Sequence, residues 1–135
     1  MRKTIGLVVL IIVALLMGYY GGYHVATKQS IAATASGALH QAISSASICG
    51  NHLHYANPEP GSKASFYSTT LFVQCANQAI ELLNKGVKPF FPIESQKEGI
   101  TRGRDYMRNN GLNDQAARAD ALLSAITTNE NKKSK

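Results

Sequence analysis

An uncharged, apolar stretch at the N-terminus constrains this chain more than any other feature. Arg2 and Lys3 precede residues 5–18, and ten of those fourteen positions are Ile, Leu or Val. Each such residue favours insertion into a bilayer by about 0.3–0.6 kcal/mol, which sums to roughly 4 kcal/mol. Residues 19–26 extend the run without a charge, to about the 20 residues that span a bilayer. We therefore predict a transmembrane or signal-anchor helix over residues 5–26.

Three tyrosines lie at the C-terminal end of this stretch. Aromatic rings with one polar atom collect at the membrane interface, where the ring lies in lipid and the hydroxyl among the headgroups. The lipid bilayer is thus a predicted partner of the chain. The predicted interface residues are Tyr19, Tyr20 and Tyr23.

A cleaved secretory signal peptide is the alternative interpretation of the same stretch. Its basic start and its apolar region of about 14 residues fit, but cleavage calls for small residues at positions −3 and −1. A cut after Ala26 leaves His24 at −3, and a cut after Gly22 leaves Tyr20 there. These residues favour a retained anchor, and under either interpretation the following domain is exported.

The flanking charges predict the orientation of the anchor. Arg2 and Lys3 directly precede it, whereas Lys28 is the only basic residue within about 20 positions after it. Because basic flanks stay in the cytoplasm, we expect the N-terminus inside and the C-terminal domain outside. The predicted location is the inner (cytoplasmic) membrane, single-pass, with a periplasmic domain; the alternative is secretion to the periplasm after cleavage.

The rest of the chain is long enough for one domain and no second. Of 135 residues, about 110 follow the apolar stretch, within the usual size of a single domain. The net charge is +6. Two of the positive charges belong to the N-terminal flank and three to a polar tail, so the folded part is too weakly basic to predict nucleic-acid binding. The predicted organisation is a cytoplasmic N-terminus (1–4), the anchor (5–26), a helical extracytoplasmic domain (28–127) and a flexible polar tail (128–135).

The two cysteines, Cys49 and Cys75, both fall in the exported part. An even and minimal count in an exported domain of this size predicts one disulfide. The bond would close a loop of about 25 residues and contribute about 3 kcal/mol in the chain-entropy model. Two buried thiols that pack as small hydrophobes are the alternative, and an inverted topology would favour it.

Helical periodicity dominates the exported part. A seam of small residues recurs at 3-4-3-4-3 spacing between residues 28 and 48, and Gly50–Asn51 predicts its stop. Such a seam admits a neighbouring helix, including a second copy of the chain. A turn at residues 57–61 precedes a second helix over residues 65–85, which Gly86 ends. The seam consists of Ala32, Ala35, Leu39, Ala42, Ala46 and Cys49.

Two further helices follow the segment Lys88–Pro92. Ser95 and Glu98 have the spacing of a capping box for a helix that ends near Asn110. Two glycines predict that this helix is weak. Asn113 caps a fourth helix whose buried face we expect to be Ala116, Ala119, Leu123 and Ile126. The predicted fold class is all-α: an N-terminal membrane helix followed by a small domain of three to four helices.

Nothing in the sequence predicts an enzyme, a cofactor or a metal centre. Cys49, His52 and His54, with His40 upstream, are the only cluster of soft or nitrogen ligands, and no acid lies nearby in sequence to orient the imidazoles. Phosphate-binding, nucleophile-elbow and zinc-protease motifs are missing. We therefore predict a non-enzymatic chain.

Two features are candidates for partner binding. Phe90 and Phe91, between two prolines, form an apolar wedge if they are exposed, and burial in the domain's own core is the alternative. The arginines of the third helix project over about two turns and are able to meet an acidic partner, with simple solvation as the alternative. These arginines are Arg102, Arg104 and Arg108.

The functional expectation is a membrane-anchored, non-enzymatic interaction or accessory protein of a cell-envelope assembly, whose helical domain docks one or more envelope proteins. The alternative is an exported inhibitor, such as an immunity protein or an antiholin-like lysis regulator. This alternative rests on the suitability of a small helical domain with one disulfide for an inhibitor, and no sequence motif supports it.

Overall fold

The computed structural model describes the backbone of residues 2–131 and the side chains of residues 25–131. Residues 2–131 form four helices and no strand, so the all-helical prediction is confirmed. The helices are α1 (Arg2–Ala56), α2 (Lys63–Asn84), α3 (Glu94–Asn109) and α4 (Asn113–Asn131).

The chain divides into two compact units, Met1–Thr34 and Ala35–Lys135. The predicted anchor and its three tyrosines fall almost entirely on residues 1–24, whose side chains lie outside the described part. Among the residues that are described, no helix combines the length and the apolarity that a bilayer crossing requires. The second unit contains the C-terminal part of α1 and all of α2, α3 and α4.

The core of the second unit uses the small-residue seam of α1. Leu39, Ala42, Ala46 and Cys49 are all buried, and they meet the apolar faces of the other three helices. Burial of these faces is the main favourable contribution to folding in a helical domain of this kind. The largest fully buried side chains are Phe72, Leu39, Ile43, Leu53, Ile100, Met107, Leu122 and Ile126.

Helices α1 and α3 cross at three glycines. A Cβ atom on Gly50 would lie 2.1 Å from the Gly99 carbonyl oxygen, and one on Gly103 would lie 2.7 Å from the Gly50 Cα. Only glycine permits such a close approach of two backbones. The predicted stop at Gly50–Asn51 is therefore wrong: α1 continues to Ala56, and Gly50 is a contact surface inside the helix.

Residues with positive φ mark three of the helix ends. Asn57 (φ 41°) follows α1, Gly86 (φ 79°) follows α2 and Gly111 (φ 73°) follows α3. Positive φ is the usual conformation of the residue just beyond a helix, and glycine adopts it without strain. The predicted ends at Gly86 and Gly111 are confirmed. Helix α2 begins earlier than predicted, at Lys63, because the Ser62 hydroxyl accepts a hydrogen bond from the Ser65 amide at 3.1 Å.

The start of α3 and the end of α4 differ from the sequence prediction. Helix α3 begins at Glu94, so Ser95 lies inside its first turn, where its hydroxyl donates to the Gln96 side chain at 3.0 Å instead of capping. Helix α4 continues to Asn131, past the predicted onset of the tail at residue 128. Its buried face contains Leu122, whereas Leu123 is only half-buried.

Candidate functional site

The segment Lys88–Pro92, which we call the aromatic loop, exposes both of its phenylalanines. Phe90 is 56% and Phe91 is 64% exposed, so the alternative of burial in the domain's own core is wrong. The two rings lean on the first turns of the second unit. Phe90 Cε2 would lie 3.9 Å from a Cβ on Gly37, and the Phe91 ring meets His40 edge-on at 5.5 Å between centroids.

An apolar cleft of about 290 Å³ lies beneath the aromatic loop. Leu83 at the end of α2, and Ile126 and Glu130 near the end of α4, contribute to its walls. Ile93, directly after the loop, is buried and fixes the C-terminal end of the segment. The loop thus joins α2 to α3 across the end of α4, with its rings toward solvent.

The three arginines of α3 do not form a free cationic patch. Arg102 pairs with Glu98, donates to the Asn51 side chain at 3.1 Å and lies over the Tyr55 ring at 5.1 Å from its centroid. Arg104 pairs with Asp105, and both Arg104 and Arg108 pair with an acid of α4. That shared acid is Asp120, at 3.6 Å and 2.6 Å respectively. Neutralised cations of this kind tie α3 to α1 and α4.

The two cysteines lie together between α1 and α2 as free thiols. Burial raises the pKa of Cys49, and the charge of a neighbouring Cys75 thiolate raises it further. Burial also raises the pKa of Cys75, while a hydrogen bond with Ser45 acts in the opposite direction. Ser45 lies one helical turn before Cys49 on α1, so its hydrogen bond with Cys75 places the two thiols on facing sides of α1 and α2. The structure thus brings together the pair that the sequence singles out, without a bond between them.

The histidines of the described part make three separate contacts. His40 packs against Phe91 with its Nδ1 atom buried and unpaired, and His54 stacks edge-on with Tyr55. His52 Nδ1 lies 3.0 Å from the Ser68 hydroxyl. Within residues 25–131, no three of the His, Cys, Asp and Glu side chains converge as a metal site would require.

An apolar strip along α1 and α2 was not anticipated from the sequence. The contacts His52–Ser68 and Ser45–Cys75 fix the register of the two helices. Along the two helices, Ile48 and the half-buried Leu71 both lie between these contacts. Ile48 is 68% exposed, and each helix also carries an exposed tyrosine, Tyr55 on α1 and Tyr67 on α2. We define the outer strip as Ile48, Tyr55, Tyr67 and Leu71.

The outer strip depends on the helix that continues past Gly50. With α1 ended at residue 50, Tyr55 would belong to a loop and share no face with Ile48. The seven-residue spacing of these two side chains was the available signal, since residues i and i+7 lie on one helical face.

No protein-family model matches this chain, and neither a curated protein sequence nor a solved structure is similar to it. We therefore infer the function from the residues of the chain itself.

Proposed function

We propose that this chain is a single-pass membrane protein with a cytoplasmic N-terminus and with its second unit, Ala35–Lys135, on the outer side. There the second unit, which we call the helical unit, serves as a non-enzymatic accessory component of an envelope assembly. The apolar N-terminal stretch and its basic flank support the anchor and its direction. The helical unit supplies a stable, compact body that presents a docking surface.

The outer strip is the observation that carries the docking role. Single exposed apolar residues are ordinary on any protein surface. A group of large exposed apolar side chains with polar neighbours is instead characteristic of a protein–protein interface. Here Ile48, Tyr55 and Tyr67 are 68%, 68% and 69% exposed, on the two helices that the His52–Ser68 contact joins. Tyrosine is also among the residues that dominate binding energy at such interfaces.

Cys49 on α1 and Cys75 on α2 suit an exported helical unit, because one disulfide would join the two helices. In the periplasm two neighbouring thiols are oxidised to a disulfide, whereas the cytoplasm keeps them reduced. We therefore include this bond in the proposed mature protein.

Topology is tested with two reporters fused after Lys135. An alkaline phosphatase is active only outside the cytoplasm, and a fluorescent protein exported in unfolded form is dark there. We expect an active phosphatase, a dark fluorescent fusion and a chain that stays in the membrane pellet after alkaline carbonate extraction. Activity of the fluorescent fusion alone would overturn the location, the disulfide and the class of partner together.

Docking is tested with a photo-crosslinking amino acid placed at Ile48 in the full chain. The matched control places the same amino acid at Arg118, an exposed position on α4 away from the outer strip. We expect one discrete membrane-protein adduct from Ile48 and none from Arg118. A shortened mature chain that crosslinks to a soluble target would favour the exported inhibitor instead, and equal labelling at both positions would overturn the docking strip.

A further inference from the structure

We propose that the aromatic loop is a second membrane contact, which inserts Phe90 and Phe91 into the interface of an anionic bilayer. This inference rests on the proposed membrane anchor and gives the helical unit a fixed orientation on the lipid surface. The two exposed phenylalanine rings thus contact the lipid headgroups and the upper part of the acyl chains.

The loop has the shape of a preformed wedge. Pro89 and Pro92 flank the two phenylalanines, and a proline ring fixes its own φ. Ile93 is buried at the C-terminal end, and the Phe91 ring is supported by His40. Because the loop is already ordered, insertion loses little conformational freedom.

The loop lies at the end of the second unit where the chain enters from the N-terminal side. Its two rings contact Gly37 and His40, and the unit itself begins at Ala35. Gly37 follows Ala26, the end of the predicted anchor, by eleven residues. Eleven residues span at most about 40 Å even in a fully extended chain, and less within a helix such as α1, so the loop stays near the membrane surface.

The charges around the loop suit anionic headgroups. Lys88 is exposed at the start of the loop, and Glu130 lines the cleft. In the sequence, three further lysines follow Glu130 within five residues. The nearby acids Glu94 and Glu130 share one cation, Lys97, at 2.8 Å and 2.6 Å. Lys88 balances the negative charge that this group retains, so the positive excess comes from the lysines of the tail sequence.

A lipid surface fits this combination better than a protein partner does. Lysine is depleted at protein–protein interfaces, whereas exposed aromatic residues beside a lysine, such as Phe90 and Phe91 beside Lys88, are typical of segments that lie in an anionic membrane interface. Each lysine near such a surface strengthens binding by about five-fold.

The chain contains no Trp, so Phe91→Trp creates a single fluorophore at the tip of the loop. The full chain is reconstituted into vesicles of phosphatidylcholine with phosphatidylglycerol, with and without bromine on the acyl chains, which quenches Trp by contact. Phe66→Trp is the matched control, because Phe66 is 70% exposed on α2 and lines a different groove.

We expect brominated lipid to quench F91W strongly and F66W little, and the quenching of F91W to weaken in vesicles of phosphatidylcholine alone. Vesicle flotation after alkaline carbonate extraction measures membrane anchoring independently of the loop. If the chain stays with the vesicles but brominated lipid quenches neither F91W nor F66W, the loop contact is wrong and the proposed anchor is unaffected. Loss of the chain from the vesicles would overturn the anchor and, with it, this inference. A blue shift of F91W that depends on protein concentration and not on lipid would assign the loop to a second copy.

Discussion

Gly50 of α1 and Gly99 of α3 lie in backbone contact, so close that a Cβ on Gly50 would overlap the Gly99 carbonyl oxygen at 2.1 Å. A substitution at Gly99 meets a comparable obstacle, because its Cβ would overlap the Ser47 hydroxyl oxygen and lie 2.7 Å from the Ser47 carbonyl oxygen. The carbonyl oxygens of Gly99 and Ser47 are backbone atoms, which cannot rotate away. The distance between the two helices is thus set by the lack of side chains on these glycines, and everything that packs between α1, α2 and α3 depends on it.

Gly50→Ala is therefore expected to destabilise the helical unit by about 3 kcal/mol or more, at the upper end of what overpacking a core costs. Gly37→Ala is the matched control on the same helix, since its Cβ would meet Phe90 at an ordinary 3.9 Å. Removal of a helical glycine there should stabilise by up to about 1 kcal/mol. Urea unfolding of the full chain in nonionic detergent, followed by circular dichroism, measures both. Equal effects at the two positions would contradict the close crossing.

The Tyr106 hydroxyl holds the turn after α1 onto the core. It donates to the Pro58 carbonyl oxygen at 2.5 Å and accepts from the Ser65 hydroxyl, 3.1 Å away. Tyr106→Phe leaves both partners unpaired and should cost about 1–2 kcal/mol. Tyr67→Phe, at an exposed tyrosine of α2, is the control and should stay within about 0.5 kcal/mol.

The same network makes a coupling prediction. Ser65→Ala should cost less than Tyr106→Phe, because the bond to Pro58 remains. The double variant should be less destabilised than the sum of the two single variants, since both remove one shared hydrogen bond. Strict additivity in urea unfolding would show that the hydroxyls of Tyr106 and Ser65 do not interact.

Periodicity was sufficient to predict the helices, their order and most of the core. The buried seam from Leu39 to Cys49, and the buried Ala116, Ala119 and Ile126 of α4, follow directly from the spacing of apolar residues. The wrong helix stop at Gly50 arises because glycine has two physical uses. Glycine ends helices and also permits close packing, and only the tertiary structure decides that Gly50, Gly99 and Gly103 serve the second purpose.

The candidate surfaces were harder to predict, because exposure is a tertiary property. The sequence singled out Phe90 and Phe91 without deciding whether they are buried. It suggested a basic face on α3, whereas acids on the same helix and on α4 neutralise each arginine, among them Asp120. The outer strip follows from the register of α1 against α2, which depends on contacts such as His52–Ser68 that no local pattern encodes.

Lys97 holds the last turn of α4 through Glu130, at 2.6 Å. Burial alone lowers the pKa of Lys97, but its bonds to Glu130 and Glu94 outweigh burial and raise the pKa overall. The stabilisation is thus fully present below the ordinary lysine value of 10.5 and is lost as pH rises through the raised pKa.

Glu130→Gln should increase amide hydrogen exchange in the last turn of α4 by up to about five-fold, the equivalent of about 1 kcal/mol for a partly exposed pair. High salt should reduce the difference between the two proteins. The control is Glu81→Gln, because Glu81 and its partner Lys85 are both exposed and lie on one helix, α2. Unchanged exchange in the last turn would show that α4 does not need Lys97.

Oxidation of Cys49 and Cys75 should stabilise the helical unit by about 3 kcal/mol, because the bond restricts the unfolded chain. The reduced protein should also respond to alkali. Both thiols have a pKa raised above the ordinary 9.0, chiefly by burial. In the unfolded chain they ionise first, so the stability of the reduced form is complete below that value and falls as pH rises above it.

Urea unfolding of the oxidised and reduced full chain, between about pH 8 and about pH 10, measures this difference. The gap between the two forms should widen with pH. In the Cys75→Ser variant, reductant should have no effect, and part of the alkaline loss should disappear because only Cys49 remains to ionise. Alkylation of both cysteines in protein taken from the cells without reductant would contradict the disulfide, even if the purified chain can be oxidised later.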